Sequence, residues 1–343
     1  MSLGAGNKST ADVVVIGAGL IGLAIALELH DRGAHVTVLE SSRALSHAST
    51  AAAGMLAVDD PHNPPALLPL SRLSAHLYPT FLRRLHALSG LTVSFQTETT
   101  LQYAPDGTVL RLAEKSLDPR QLATAVLAAV RSTPIRLLDQ THIASISPSR
   151  DRLSILTSTG LQLHAPSILY TTGAWTQRVL QAEGSSPVPI VPRKGQMLRV
   201  QLPAGLRLEA VHRNDRIYIV PRTLGPQAGT ALIGATIEDA GFDTSVHNED
   251  LARLRNFAAH LVQDLRSETA APLVEAWAGL RPATPDALPI LSATPGARQF
   301  IATGHFRNGI LLAPATAALM ADLLTGNTPQ LDLTPFRAGR FTC

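Results

Sequence analysis

The chain has 343 residues, 45% of them hydrophobic and 16% charged, with a formal net charge of +3. An average soluble protein carries roughly 25% charged residues, so disordered and fibrous classes are excluded, and so small a charge surplus calls for neither a nucleic acid nor a membrane as partner. The single cysteine, Cys343, excludes an internal disulfide and a thiolate-rich metal centre and suits a reducing cytoplasm.

In chain order, residues 1–10 read as a loose tail. Residues 12–16 read as a buried strand, 20–32 as an apolar helix and 35–39 as a second strand ending on Glu40, together a βαβ unit of about thirty residues. The apolar run from Val13 to Leu27 is shorter than the ~20 residues of a membrane span and is interrupted by Gly17, Gly19 and Gly22, so no membrane span is expected. A proline-rich loop over 59–69 leads to a helix over 71–89, where Arg83 and Arg84 read as a solvated face. Paired strands over 92–103 follow. Asp118 is a good N-cap and Pro119 suits the first helical position, so a helix over 121–131 is expected. Strands follow over 135–138, 153–157, 162–164 and 168–171, then a turn-rich stretch over 183–192. Strands over 196–200, 216–220 and 230–235, a helix over 249–265, a strand over 298–303 and a helix over 310–324 complete the reading. The order predicts an α/β protein with a Rossmann-like nucleotide domain (11–59, 118–182 and 282–343) interleaved with an antiparallel-sheet α+β substrate domain (60–117 and 183–281).

Gly17, Gly19 and Gly22 form the GxGxxG pattern at the strand-to-helix turn. There glycines permit the tight turn, the approach of a pyrophosphate and close helix packing, while the helix N-terminus stabilises the phosphates. Glu40 stands where a carboxylate accepts ribose hydroxyls, which disfavours a 2′-phosphate and leaves NAD or FAD. The small residues from Ala48 to Gly54 suit a flat ring laid on the backbone and favour FAD. HExxH, GxSxG and P-loop patterns are absent, and the twelve His residues lack metal-ligand spacing, so no metal is expected.

The stretches STAAAGML (49–56), WAGLRPATPDALPILS (277–292) and TGHFRNGILLAPAT (303–316), with Tyr218 in IYIVPR and Gly234-Ala235-Thr236, resemble the D-amino-acid oxidase family of flavoproteins. Within it they are most similar to the glycine oxidases of thiamine biosynthesis. One departure is the short stretch between Tyr103 and Asp118, where the family has a longer insertion; it bears on substrate scope and oligomeric contacts. The resemblance implies non-covalent FAD, its ADP part held by Gly17, Gly19, Leu20, Ile21, Gly22 and Glu40. Ser49, Thr50, Ala52, Ala53, Gly54 and Met55 are expected near the pyrophosphate and ring. Ile143 is expected to contact adenine through its backbone, Thr172 and Gly173 to close the nucleotide's other side, and Trp175 to join the cofactor-binding residues. Arg281 and the turn His305, Phe306, Arg307, Asn308, Gly309, Ile310 and Leu311 would pass the flavin, with the last helix's N-terminus facing its pyrimidine edge.

For the chemistry, the resemblance implies that Arg281 anchors a substrate carboxylate bidentately, Tyr218 adds a hydrogen bond to it, and the Arg307 carbonyl accepts from the amine. Met55, Ala57 and Ile237 would wall the substrate pocket. The implied reaction is oxidative deamination of glycine, small amines or D-amino acids, with hydride passing from Cα to flavin N5. O2 would be reduced to hydrogen peroxide and the imino acid hydrolysed to glyoxylate or another keto acid plus ammonia. Glycine imine for thiamine thiazole synthesis is the implied product use, in a cytoplasmic homo-oligomer. A broader D-amino-acid or sarcosine oxidase, a glycine dehydrogenase with a non-oxygen acceptor, and a non-catalytic flavin-binding protein remain open at this stage.

Overall fold

The computed structural model describes residues 9–148, 151–182, 188–294 and 298–341. Its centre is a six-stranded sheet in the order Ile290–Ala293, Gln299–Thr303, Ser167–Tyr170, Val13–Ile16, Val36–Leu39, Arg136–Leu138. All pairings are parallel except that of the first two strands. Strand alternation divides Val13–Ile16 between two cores. Val13 and Val15 pack with helices Leu20–Asp31, Leu68–Ser89, Pro119–Arg131 and Gly309–Leu324. Val14 and Ile16 pack on the other face, against Leu153, Ile155 and Leu163 of a four-stranded sheet. A sheet buried on both faces explains why VVVI reads as a continuous apolar run.

The second large sheet has seven strands in the order Leu273–Ala283, Val191–Gln201, Thr230–Gly234, Tyr218–Arg222, Val211–Arg213, Thr100–Tyr103, Val109–Leu112. It is antiparallel apart from the contact of Val211–Arg213 with Thr100–Tyr103. One face is covered by helix Asn248–Leu261 through Leu198, Ile219, Ile233, Leu254 and Ala258. The other face, with Met197, Val220, Leu232, Tyr218 and Trp277, gathers around Ala53 and Met55. This is the α/β fold with an added antiparallel sheet that the sequence predicts.

Several local expectations need correction. Ser9–Thr10 of the expected tail is a short strand parallel to Gln162–Ala165, while residues 1–8 lie outside the described residues, as do 183–187 of the predicted turn and Cys343. The two strands within 92–103 do not pair with each other. Phe95–Thr97 joins Lys115–Leu117 in a three-stranded sheet, and Thr100–Tyr103 pairs with Val109–Leu112. Both partners lie in the short stretch before Asp118, whose side chain caps its helix by accepting from Arg120 N at 2.9 Å. Arg84 is not merely solvated, for it reaches Glu28 at 2.9 Å and Asp31 at 2.7 Å on the first helix. The eleven-residue strand Leu273–Ala283 is absent from the sequence reading because Gly279 and Pro282 look like breakers there. No helix among the described residues is long and apolar enough to cross a membrane, and none of their His, Cys, Asp and Glu side chains form a group able to hold a metal ion.

Candidate active site

A cavity of about 830 Å³ runs from the C-terminal ends of the parallel strands to the Tyr218 face of the antiparallel sheet. That is within the usual range for cofactor and ligand sites, which lie outside the carboxyl ends of parallel strands in such folds. At its nucleotide end, Gly17 has φ +108°, and a Cβ there would lie 2.6 Å from the Thr171 carbonyl oxygen. The Thr171 hydroxyl donates to the carbonyls of Ile16 at 3.0 Å and Gly17 at 2.8 Å, tying this turn to the neighbouring strand. Helix Leu20–Asp31 begins at Gly19 with no side-chain cap and no acid in its first turn, and Gly19, Leu20 and Ile21 line the cavity. A positive helix end with no acid in its first turn, next to a glycine turn, suits a pyrophosphate. Glu40 also lines the cavity and is held by Ala18 N and Ser42 N, each at 2.9 Å.

The small-residue stretch contains the short helix Ala48–Ala51 and is tied down on three sides. Ser49 Oγ accepts from Leu20 N at 2.9 Å, Ala51 O from Trp277 Nε1 at 3.0 Å, and Ala53 O from Arg222 Nη2 at 2.8 Å. Arg222 is 1% exposed, and burial pulls it down to about 10, so it is still charged at neutral pH. Its Nε and Nη1 have no hydrogen-bond partner, so the protein accepts a buried cation to hold the Ala53 carbonyl. Ser49, Ala52, Ala53 and Gly54 thus present a fixed backbone to the cavity, which Ile143, Thr172, Gly173 and Trp175 also line. An adenine dinucleotide such as FAD fits this cradle, with glycine turn, helix end and acid at one end and fixed small residues further along.

The remaining expected residues divide clearly. Met55, Ala57, Tyr218, Ile237, Arg281 and the turn from His305 to Ile310 line the cavity. Gly22, Thr50 and Leu311 do not. Gly22 lies behind the turn, where a Cβ would collide with the Gly17 carbonyl; Thr50 Oγ1 turns back to Leu45 O at 3.0 Å; Leu311 is 1% exposed in the helical core. His305 donates or accepts at Thr316 Oγ1 across 3.1 Å and is fully enclosed, so burial brings it down to about 3 and keeps the ring neutral.

At the sheet end, Gln102, Arg213, Tyr218, Gly234, Met197 and Trp277 are successive cross-strand partners in one row. The Tyr218 ring lies over Gly234, where a Cβ would be 2.7 Å away. Burial raises the Tyr218 phenol against the opposing pull of Arg281 and Arg307, so it remains a hydrogen-bond donor. The Arg281 guanidinium lies directly over Gly195, a position any side chain would fill. Its Nη1 donates to Thr236 O at 3.1 Å and Lys194 O at 3.4 Å. No carboxylate pairs with it among the described residues. By contrast, Arg213 faces Glu114 at 3.1 Å and Arg307 faces Asp60 at 3.1 Å. Burial raises Asp60, but Arg307, His62 and Arg213 together bring it below the ordinary carboxylate range. Sequence reasoning missed Gly195, Thr171 and Arg222. Their roles come from what lies across a sheet, and no local motif announces that.

A pH dependence follows from His305. The unfolded ring titrates near 6.5 and the folded one near 3, so the stability owed to the neutral ring is complete above pH about 6.5 and is lost as pH falls toward 3. His212, also lowered by burial, acts in the same direction. The urea midpoint is expected to fall between pH 7.5 and 5, and His305→Asn is expected to flatten that fall; an unchanged slope in the variant would remove His305 as its source.

A profile for the family described as "FAD dependent oxidoreductase" (DAO) matches residues 12–115 and 107–323, the two matches overlapping over 107–115. The chain is 34% identical to the bifunctional protein ThiO/ThiG of Trichormus variabilis, covering 97% of this chain but only 55% of that protein. It is 32% identical to the glycine oxidase of Geobacillus kaustophilus, covering 96% of this chain and 97% of that one. The crystal structure of glycine oxidase from that organism superposes with a TM-score of 0.90 at 28% identity, covering 98% of this chain and all of the other.

Proposed function

Since the chain belongs to the DAO family of FAD-dependent oxidoreductases, we propose that it oxidises glycine and other small amino acids or amines. Overall, glycine, O2 and water give glyoxylate, ammonia and hydrogen peroxide. FAD, when bound, supplies the two-electron acceptor for oxidation of the substrate's Cα–N bond. The rest of the task falls to the chain's own residues. Arg281 takes the carboxylate with the guanidinium atoms not used by Thr236 and Lys194. The neutral Tyr218 hydroxyl donates a second bond to that carboxylate, and the Arg307 carbonyl accepts from the amine. Met55, Ala57 and Ile237, which line the cavity, wall the substrate's Cα side in this reading. Fixing both ends of so small a substrate is the main contribution a protein can make to such a reaction.

The observation that carries the reading is Arg281, a cavity guanidinium mounted on glycine and lacking an acid partner, while Arg213 and Arg307 beside the same cavity are paired. A monocarboxylate completes it. With this reading go supply of glycine imine for thiamine thiazole synthesis, O2 as acceptor, a homo-oligomeric assembly and a cytoplasmic setting. The chain spans 55% of the bifunctional relative's length and 97% of the glycine oxidase's. The test is an anaerobic absorption spectrum of the purified flavoprotein before and after glycine, followed by air. Bleaching by glycine, with colour and peroxide appearing on aeration, is expected. A yellow protein that glycine leaves unchanged rejects glycine as substrate, and bleaching that air does not reverse rejects O2.

A further inference from the structure

Arg281 is held by two carbonyls on neighbouring chain segments, and a buried charged network on the reverse face of the sheet joins those segments. In strand Val191–Gln201 the alternation places Gly195 and Met197 at the cavity, while Lys194 and Gln196, each 0% exposed, point the other way. Beyond strand Thr230–Gly234 the chain continues alongside, with Glu238 N donating to Lys194 O at 2.9 Å and Lys194 N to Glu238 O at 3.0 Å. There too the sides alternate. Ile237 lines the cavity, and Thr236 and Glu238 face the network.

The network closes the seam between these segments. Thr236 Oγ1 accepts from Gln196 N at 2.8 Å and donates to the Glu238 carboxylate, which also accepts from Gln196 Nε2 at 2.9 Å. Lys194 Nζ lies 3.6 Å from Glu238 and 2.9 Å from Asp243. Gln196 further bonds Asp250 and accepts from His247 N at 2.7 Å. The carbonyls holding Arg281 Nη1, those of Lys194 and Thr236, lie one on each side of this seam.

We propose that the Lys194–Glu238 pair positions Arg281 for carboxylate binding, setting the guanidinium's place from the far side of the sheet. The proposal rests on the reading of Arg281 as the carboxylate anchor. Removing the Lys194 ammonium leaves Glu238 and Asp243 without their cation, so the side-chain half of the seam loosens and only the two backbone bonds between Lys194 and Glu238 still hold it. Both carbonyls then shift, and with them the guanidinium. A displacement of about 1 Å at a binding group is enough to cost one to two orders of magnitude.

The experiment titrates the FAD-loaded protein with acetate, a carboxylate that cannot be oxidised, and follows the flavin absorption band. In Lys194→Met the acetate dissociation constant is expected to rise about ten-fold, with flavin content unchanged. The KM for glycine should rise by more than kcat falls, and Lys194→Arg should restore most of the loss. In an Arg281→Ala background the same substitution should add nothing further. Parent-like acetate binding in flavin-loaded Lys194→Met, or a loss that persists in full on top of Arg281→Ala, overturns the proposal. Should Lys194→Met not fold, Glu238→Gln combined with Asp243→Asn, which removes both carboxylates facing the ammonium, carries the same expectation and the same overturning result. A parent protein that binds no acetate and is not bleached by glycine rejects the anchor itself, a failure distinct from that of the seam.

Discussion

Arg281→Ala is expected to raise the apparent dissociation constant for glycine by about 100-fold while the protein keeps its FAD. The estimate takes two charge-assisted hydrogen bonds at roughly 1.5 kcal/mol each, near the low end for bonds to charged groups, and about 1.4 kcal/mol per ten-fold change. Folding should be little affected, because no acid loses a partner and Lys194 O keeps its bond from Glu238 N. Arg281→Lys should recover only part of the affinity, since an ammonium cannot pair both carboxylate oxygens in the plane of a guanidinium. Anaerobic titration with glycine, monitored at the flavin band, measures both variants. Wild-type affinity in Arg281→Ala would falsify the anchor role.

The second large effect is expected from Gly17→Ala. At φ +108° an L side chain is strained by about 1–3 kcal/mol, and the added Cβ would meet the Thr171 carbonyl carbon at 2.8 Å as well as its oxygen. Neither backbone atom can yield without parting Val13–Ile16 from Ser167–Tyr170, where Thr171 N also donates to Ile16 O at 2.8 Å. The turn must therefore move, and the N-terminus of helix Leu20–Asp31 moves with it. The variant should purify colourless, or with FAD bound at least 100-fold more weakly, and with a lowered thermal midpoint. Stoichiometric yellow protein with an unchanged midpoint would show that the cradle tolerates a side chain there. Gly19→Ala is the control: its nearest foreign atom is Ser49 Oγ at 3.5 Å, an ordinary contact, so its loss should be small unless a phosphate occupies that space.

The cofactor class and the first βαβ unit were legible because their determinants are neighbours in the chain. The turn Gly17 to Gly22, the strand ending on Glu40 and the Asp118 cap act within one or two elements, and periodicity with glycine spacing is enough to find them. The final helix and most strands were also readable, within a few residues at their ends. The 273–283 strand was not, because its register is set by ten residues of Val191–Gln201 and its own Gly279 and Pro282 argue against it. The pairing within 92–103 failed for a similar reason. β-branched residues mark strands but do not say which partner they take, and here each strand left for a different sheet.

For the site, the amino-acid sequence by itself determined which chemical groups are available: a dinucleotide turn, an arginine, a tyrosine and small wall residues, in an order that resembles one family of flavoenzymes. Only the tertiary structure decided which charges are free. Arg213, Arg281 and Arg307 are equivalent as letters, and what separates them is that Glu114 and Asp60 reach the first and last from distant segments, while Arg281 lies on Gly195 beside carbonyls and the Tyr218 phenol, with no acid. Charge neutralisation depends on distances of a few ångströms between residues up to 247 positions apart, and a short-range pattern carries no information about such pairs. The same reason hid the Lys194–Glu238 seam: a buried lysine and a half-buried glutamate come to face each other only once two segments run side by side.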